Sequence, residues 1–298
     1  MPRRLFATLV GFTAILMWAL LALFTAASGS VPPFQLTAMT FLIGGSIGLV
    51  SWMFRPGAIR SLKQPWPVWA LGVIGLFGYH FFYYTALRLA PPVEAGLIAY
   101  LWPLLIVVLS ALLPGERLRW FHGAGAFLGL AGTFLIVSKG QGITIDARYL
   151  NGYLAAIVCA FTWSSYSVLS RRFAAVPTDV VVGFCLVTAM LSAGAHLLFE
   201  TTVWPASAME WLAVLGLGLM PVGAAFYVWD FGVKHGDIQV LGAASYAAPL
   251  LSTTVLVIAG YADFSWIIAL AAFLITFGAV LASKELIFRS KGAKPALR

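Results

Sequence analysis

The sequence predicts an all-α membrane protein with ten transmembrane helices, arranged as two inverted repeats of five helices. Three observations support this prediction. Of the 298 residues, 61% are hydrophobic and only 9% are charged, whereas a soluble domain carries about a quarter charged residues. The apolar runs are continuous over about twenty residues, the length of a bilayer-spanning helix, and do not alternate like the strands of a membrane barrel. The third observation is an internal repeat.

The repeat is clearest in residues 100–105 (YLWPLL), which return 146 positions later, altered, as residues 246–251 (YAAPLL). With an offset of 145, Trp18 falls on Trp163. Because each unit contains five spans, an odd number, the second copy must enter the membrane upside down relative to the first. Inverted repeats are typical of secondary transporters, whose binding sites lie near the midplane between the repeats.

The spans follow one another with short connections. The first follows two arginines, as in a signal peptide, but its apolar run is long for one and its counterpart in the second half is clearly a span. The small-residue patterns Gly44-x-x-x-Gly48 and Gly125-x-x-x-Gly129 predict close contacts between helices. The ten predicted spans are 5–27, 34–54, 66–88, 92–112, 120–138, 151–171, 178–200, 209–231, 239–259 and 264–287.

The distribution of positive charge predicts the orientation. With the N-terminus inside, 15 of the 18 Lys and Arg residues fall on the inner side, and only Arg88, Lys139 and Arg148 fall outside. Both termini are therefore expected in the cytoplasm, and the net charge of +8 reflects these loops rather than nucleic-acid binding. The predicted segments are a first repeat at 1–138, an external linker at 139–150, a second repeat at 151–288 and a basic cytoplasmic tail at 289–298.

Three of the eleven tryptophans, Trp18, Trp102 and Trp163, fall near the middle of predicted spans. An indole N–H at the bilayer centre needs an acceptor, on another helix or on a substrate in a cavity. Packing is the alternative for each of them alone, but three at one depth favour a cavity. The other eight are interpreted as belt residues at the membrane interfaces: Trp52, Trp66, Trp69, Trp120, Trp204, Trp211, Trp229 and Trp266.

Span 3 carries a polar aromatic group formed by Tyr79, His80, Tyr83 and Tyr84. Phenol hydroxyls and an imidazole need hydrogen-bond partners inside a membrane, and a water-filled cavity supplies them where lipid does not. An intramembrane histidine is a candidate functional residue by default. Two interpretations of His80 stay open, a residue that lines the pathway and a residue that makes a structural hydrogen bond.

Tyr100 and Pro103 share a face of span 4, and Tyr246 and Pro249 match them in span 9. A proline inside a helix removes a hydrogen bond and bends the chain. The bend is either a packing kink or a flexible point beside the substrate. Its recurrence in both halves, each time with Tyr three residues earlier, favours a hinge.

Charged residues are absent from the middle of every predicted span. Asp230, Lys234, His235 and Asp237 gather near the inner end of span 8, and interface charges are the simplest interpretation, with gating ion pairs second. No arrangement of Ser, His, Asp or Cys suits a catalytic pair or a metal site. We therefore expect no enzyme activity, no metal, no cofactor and no proton coupling through a buried carboxylate.

Several short motifs resemble those of the EamA-type members of the drug/metabolite transporter superfamily. One of these motifs, at residues 114–118, is similar to the ending of span 4 in that family. The second half has no counterpart of it, because residues 260–263 (GYAD) contain no Gly-Glu pair. The motifs that carry the resemblance are Ile15-Leu16-Met17-Trp18, Ala86-Leu87 with Ala90-Pro91 and Glu94-Ala95, Trp102-Pro103-Leu104, and Pro114-Gly115-Glu116-Arg117-Leu118.

The resemblance implies a transporter of the bacterial inner membrane with a central cavity lined by spans 1, 3, 4, 6, 8 and 9. Aromatic density places the chain near exporters of aromatic amino acids and similar small amphiphiles, working by alternating access with hinges at Pro103 and Pro249. Exporters of other neutral metabolites or lipophilic drugs remain an alternative, as does a membrane-embedded enzyme or channel. The oligomeric state stays open, and a monomer is compatible with the fold. The implied substrate-binding residues are Trp18, Tyr79, His80, Tyr83, Tyr100, Trp102, Trp163 and Tyr246.

Overall fold

The computed structural model describes residues 3–143, 145–260 and 263–284. Within these ranges the chain is helical, with nine segments long and apolar enough to cross a membrane and a shorter apolar tenth. This confirms the predicted fold class. The end of the second repeat at 285–288 and the predicted tail at 289–298 lie outside the described residues. The ten spans are Arg3–Ala27, Pro33–Met53, Trp66–Leu89, Pro92–Leu112, Trp120–Val137, Ala147–Phe173, Thr178–Phe199, Ala208–His235, Ile238–Ile258 and Trp266–Ala282.

Spans 6 and 8 extend furthest beyond the bounds that the sequence suggested. Span 6 begins at Ala147, inside the predicted 139–150 linker, because the Asp146 carboxylate accepts the backbone N–H of Arg148 and supports the first turn. Span 8 continues past its predicted end at 231 to His235. Its last turn is polar, which ended the apolar run in the sequence without ending the helix.

The packing of the spans shows how the two repeats fit together. Span 1 packs along span 8 in the way that its counterpart, span 6, packs along span 3. Spans 2 and 7, 4 and 9, and 5 and 10 each pack against their own counterpart. This pattern is the one expected of two inverted units related by a pseudo-two-fold axis in the membrane plane.

Glycines allow the closest helix contacts between the repeats. A Cβ on Gly11 of span 1 would lie 2.9 Å from the Cα of Gly232 in span 8. A Cβ on Gly125 in span 5 would lie against the Gly278 carbonyl oxygen in span 10, and one on Gly44 would meet the backbone of span 8. The glycine patterns at 44 and 125 therefore mark helix contacts, as predicted.

Five of the spans that were expected to line a cavity are irregular at mid-membrane. Irregular backbone in a membrane is tolerated where it is buried in protein or lines a cavity. Spans 2, 5 and 10 are by contrast continuous α-helices. The breaks separate Arg3–Trp18 from Leu21–Ala27, Pro92–Ala99 from Trp102–Leu109, and Ile238–Ala244 from Ala247–Ile258, and spans 3 and 8 contain π-helical turns at Ile74–Gly78 and Met220–Ala224.

We predict that Gly125→Ala destabilises the protein and that Gly123→Ala, two residues away on the same helix, does not. Alanine favours a helix over glycine by about 1 kcal/mol, and a Cβ at Gly123 meets nothing within 4 Å. At Gly125 the added methyl must displace the backbone of span 10, at a cost of about 1–3 kcal/mol. Thermal unfolding of the two variants in detergent measures the difference, and equal melting temperatures would contradict the observed packing.

Candidate functional site

The three mid-span tryptophans meet at the centre of the bundle. The Trp18 ring lies 5.9 Å from that of Trp163 and 6.1 Å from that of Trp102, both nearly edge to face. Trp102 and Trp163 lie 6.3 Å apart at 86°. Edge-to-face pairs at these distances are favourable contacts between aromatic rings. Spans 1, 4 and 6 therefore contribute one ring each to a single central group, which we call the tryptophan cluster.

Two further rings of span 8 complete the tryptophan cluster. Trp229 is fully buried, lies 5.0 Å from Trp18 by ring centroids, and donates its indole N–H to the Ser167 hydroxyl at 3.1 Å. Phe226 lies 5.7 Å from Trp163. The assignment of Trp229 to the interfacial belt was wrong, because span 8 runs deeper than its apolar stretch indicated. The repeat offset of 146 contained the missing signal, since it aligns Trp229 with Tyr83.

Span 3 forms a polar wall beside the cluster. Tyr79 lies 5.4 Å from Trp163 and stacks at 6.0 Å on Tyr83, with only 3° between the ring planes. His80, on the neighbouring face, lies 5.1 Å from Phe41 of span 2. Tyr84 continues that face, and its hydroxyl is 2.9 Å from the Thr37 hydroxyl. All four polar rings of span 3 are half-buried.

Several hydrogen-bonding groups beside the cluster have no hydrogen-bond partner among the described residues. Across the described ranges, no protein group makes a hydrogen bond with five polar atoms: the hydroxyls of Tyr79, Tyr83 and Tyr100 and the indole nitrogens of Trp102 and Trp163. These atoms are also absent from the fully enclosed unsatisfied groups of the described chain. Trp18 differs, because its indole N–H donates to the Pro221 carbonyl at 3.1 Å. The remaining groups can therefore bind water or a polar ligand.

Matching π-helical turns lie beside the site in spans 3 and 8. Ile74–Gly78 and Met220–Ala224 are separated by the 146-residue repeat offset. Such turns leave carbonyls outside the α-helical pattern and are frequent at functional sites. In span 3 the His80 ring binds the Leu76 carbonyl oxygen at 2.7 Å, and in span 8 the Pro221 carbonyl receives Trp18. Neither turn was predicted from the sequence.

The breaks in spans 4 and 9 lie where the two prolines predicted them, but the paired tyrosines differ. Tyr100 is half-buried and within electrostatic range of Tyr79 and Tyr83 of the polar wall. Tyr246 is fully buried, and its hydroxyl accepts the Leu104 backbone N–H at 3.2 Å, just after the break in span 4. The structure therefore does not bring Tyr246 to the group of predicted binding residues. Its hydroxyl instead supports the restarted helix of span 4.

An ionic network closes the end of the bundle where span 1 begins, which we call the Arg4 end. Glu116, after span 4, binds Arg171 of span 6 at 2.8 Å and Arg4 at 3.1 Å. Arg4 also binds Asp237 at 3.0 Å, just before span 9. Arg171 donates to the Gly236 carbonyl at 2.8 Å. The network joins spans 1, 4, 6, 8 and 9, which are the spans that surround the cluster.

A second ion pair lies inside the Arg4 end. The Lys234 ammonium is 2.8 Å from the Asp230 carboxylate, and both side chains are buried. Thr178 donates to the same carboxylate at 2.7 Å, and Lys234 also donates to the Val176 carbonyl at 3.0 Å. The interpretation of Asp230 and Lys234 as interface charges was therefore wrong. Complete pairing is what permits both charges inside the protein.

The opposite end, marked by Arg88, is built differently. Glu200 binds Arg88 at 3.1 Å and accepts the backbone N–H groups of Phe34 and Gln35 at the start of span 2. In the part of the chain that the structure describes, no ion pair at this end joins spans 1, 4, 6 and 9. Burial also increases from the half-buried Tyr83 and Tyr84 towards Trp229. Among the described residues, ion pairs therefore join the central spans at the Arg4 end and not at the Arg88 end.

Comparison with known proteins agrees with this architecture. The model of the EamA-like transporter family matches twice, at residues 5–138 and 150–284. An aromatic amino acid exporter YddG of Ancylobacter novellus is 59% identical over 278 residues, covering 93% of this chain and 96% of its own. The aromatic amino acid exporter YddG of Escherichia coli is 24% identical over 290 residues, covering 92% and 96%.

A solved crystal structure has the same fold, with a TM-score of 0.90, 58% sequence identity, and coverage of 96% of this chain and 99% of its own. The double family match coincides with the two repeats found in the sequence. The resemblance stated from the motifs is confirmed, and the relatives named here are exporters rather than enzymes. The chain belongs to the EamA-like transporter family.

Proposed function

We propose that this protein exports aromatic amino acids and similar small amphiphiles by alternating access. The observation that carries the proposal is the central cluster of four indoles contributed by both repeats, Trp18, Trp102, Trp163 and Trp229. The polar wall lies beside it, and the hydroxyls of Tyr79 and Tyr83 in that wall have no hydrogen-bond partner among the described residues. The YddG exporter of Ancylobacter novellus, at 59% identity, supports the same substrate class.

The site offers complementary surfaces to each part of an aromatic amino acid. The side chain of the substrate stacks on Trp163 or Trp102, and its carboxylate accepts hydrogen bonds from the hydroxyls of Tyr79, Tyr83 and Tyr100. Its ammonium group lies against a ring face. Seven predicted residues remain in the proposed site, and Tyr246 has the structural role described above: Trp18, Tyr79, His80, Tyr83, Tyr100, Trp102 and Trp163.

Alternating access requires that the Arg4 end opens while the Arg88 end closes. The breaks before Pro103 and Pro249 and the π-helical turns at 74–78 and 220–224 supply flexible points in spans 3, 4, 8 and 9. We place the protein in a bacterial inner membrane with the Arg4 end in the cytoplasm, as the distribution of Lys and Arg indicates. In that orientation the ionic network lies on the cytoplasmic side, and the substrate leaves through the Arg88 end.

Transport into proteoliposomes tests the substrate class. We predict saturable uptake of labelled tryptophan and phenylalanine in preference to threonine, independent of a pH gradient. Trp163→Ala should lower tryptophan uptake about two- to tenfold, which corresponds to the ~0.5–1.5 kcal/mol of an aromatic contact.

Trp204→Ala is the matched control, because Trp204 is exposed and stacks on Trp211 outside the cluster. Equal losses of tryptophan and threonine uptake in Trp163→Ala would contradict a binding role for that ring. If the wild-type protein moved no amino acid, a different amphiphile would be the substrate, and screening with lipophilic drugs would follow.

The ionic network predicts a second result. Glu116→Gln removes the carboxylate shared by Arg4 and Arg171, so the open state of the Arg4 end should gain population. A charged hydrogen bond contributes about 1.5–3 kcal/mol, so the gain should be about tenfold or more. The measurement is maleimide labelling of Ser170→Cys, a buried position at that end, with Cys159 and Cys185 replaced by alanine.

Asp146→Asn serves as the control for this experiment. It breaks the exposed Asp146–Arg148 pair at the other end of the bundle and should leave the labelling rate unchanged. An unchanged rate in Glu116→Gln would show that the network does not hold the Arg4 end closed.

A further inference from the structure

The hydrogen bond of His80 determines which of its ring nitrogens carries the proton. Nδ1 lies 2.7 Å from the Leu76 carbonyl oxygen. A carbonyl oxygen only accepts hydrogen bonds, so Nδ1 must be the donor. In a neutral imidazole the second nitrogen, Nε2, then has a free lone pair and acts only as an acceptor.

The surroundings of His80 favour the neutral ring. It is enclosed by aromatic rings from three spans: Phe41 of span 2 at 5.1 Å, Tyr79 and Tyr84 of its own span at 5.2 and 6.1 Å, and Phe226 of span 8 at 6.4 Å. No carboxylate among the described residues pairs with it. A second proton would place an unpaired charge among these rings, which is costly.

The second repeat has no counterpart of this acceptor at the equivalent position. With the offset of 146, His80 corresponds to Phe226, and the two rings face each other across the centre. Phe226 has no polar atom. The pseudo-two-fold arrangement therefore offers one nitrogen acceptor where an exact repeat would offer two or none.

The other polar groups at the site are better suited to bind a carboxylate than an ammonium group. The indole N–H groups of Trp102 and Trp163 only donate, and the unpaired hydroxyls of Tyr79, Tyr83 and Tyr100 donate readily to a carboxylate. An ammonium group instead brings only donors of its own and needs acceptors. Nε2 of His80 is a fixed acceptor on a half-buried ring, and no hydrogen bond to it comes from the described part of the chain.

We propose that Nε2 of His80 accepts a hydrogen bond from the α-ammonium group of the substrate. His80 is then a specificity-determining residue that favours amines over analogues without an amino group. The Leu76 carbonyl acts through it, by fixing the tautomer. The proposal rests on the proposed function, since it assigns a partner to one group of the exported amino acid.

The test compares proteoliposome uptake of tryptophan with that of indole-3-propionate, which has the same ring and carboxylate but no amine. We expect the wild-type protein to prefer tryptophan by about tenfold or more, since a charged hydrogen bond is at stake. His80→Phe keeps an aromatic ring, loses the acceptor and should bring the ratio close to one by lowering tryptophan uptake alone. His80→Gln, which retains an acceptor, should restore part of the preference.

Tyr84→Phe is the matched control on the same helix face, one turn away. Its hydroxyl is already bonded to Thr37, so its removal should leave the ratio unchanged. An unchanged ratio in His80→Phe, or an equal loss of both substrates, would overturn the proposal.

Competition on the unmodified protein gives an independent result. Indole-3-propionate, which lacks only the amine, should inhibit uptake of labelled tryptophan about tenfold more weakly than unlabelled tryptophan does. Equal inhibition by the two compounds would overturn the assignment even if His80→Phe failed to fold. If the wild-type protein transported neither indole compound, the proposed function would fail instead, so the two failures are distinguishable.

Discussion

The architecture depends on one constraint, that every backbone polar group inside a bilayer must find a partner within the protein. The central spans are interrupted, and each interruption releases such groups. Side chains form hydrogen bonds with the released backbone groups. Trp18 donates to the Pro221 carbonyl, His80 donates to the Leu76 carbonyl, and the Tyr246 hydroxyl accepts the Leu104 N–H. These polar aromatic residues therefore hold the broken helices together while they shape the space between them.

The two repeats differ in the side chains that spans 3 and 8 present to the site. The offset of 146 aligns Tyr83 with Trp229, and His80 with Phe226. Span 3 thus presents polar rings from the first repeat, and span 8 presents apolar rings from the second. A site with one polar wall and one apolar wall suits an amphiphilic ligand, whereas two identical walls would not. Backbone features, such as the π-helical turns, have stayed equivalent while the side chains changed.

The fold could be predicted from sequence because membrane thickness fixes span length and the repeat fixes the topology. The convergence of Trp18, Trp102 and Trp163 followed from their equal depth. The predictions that were wrong concern details that depend on long-range packing. Trp229 and the Asp230–Lys234 pair were placed at the interface, because charged residues end an apolar run in the sequence. The helix itself continues past them, since the two charges are paired inside the protein. The burial of Tyr246 depends on its partner in span 4, which local sequence does not encode.

The closed end has an electrical consequence. Its network combines two guanidinium groups, from Arg4 and Arg171, with two carboxylates, from Glu116 and Asp237. The pair deeper in the bundle is also balanced. Moving one elementary charge through the membrane potential is worth about 2.3 kcal/mol per 100 mV, but rearranging a neutral set in place moves almost none. The proposed zwitterionic substrate also adds no net charge, so on the proposed function we expect the transport rate to depend little on the membrane voltage.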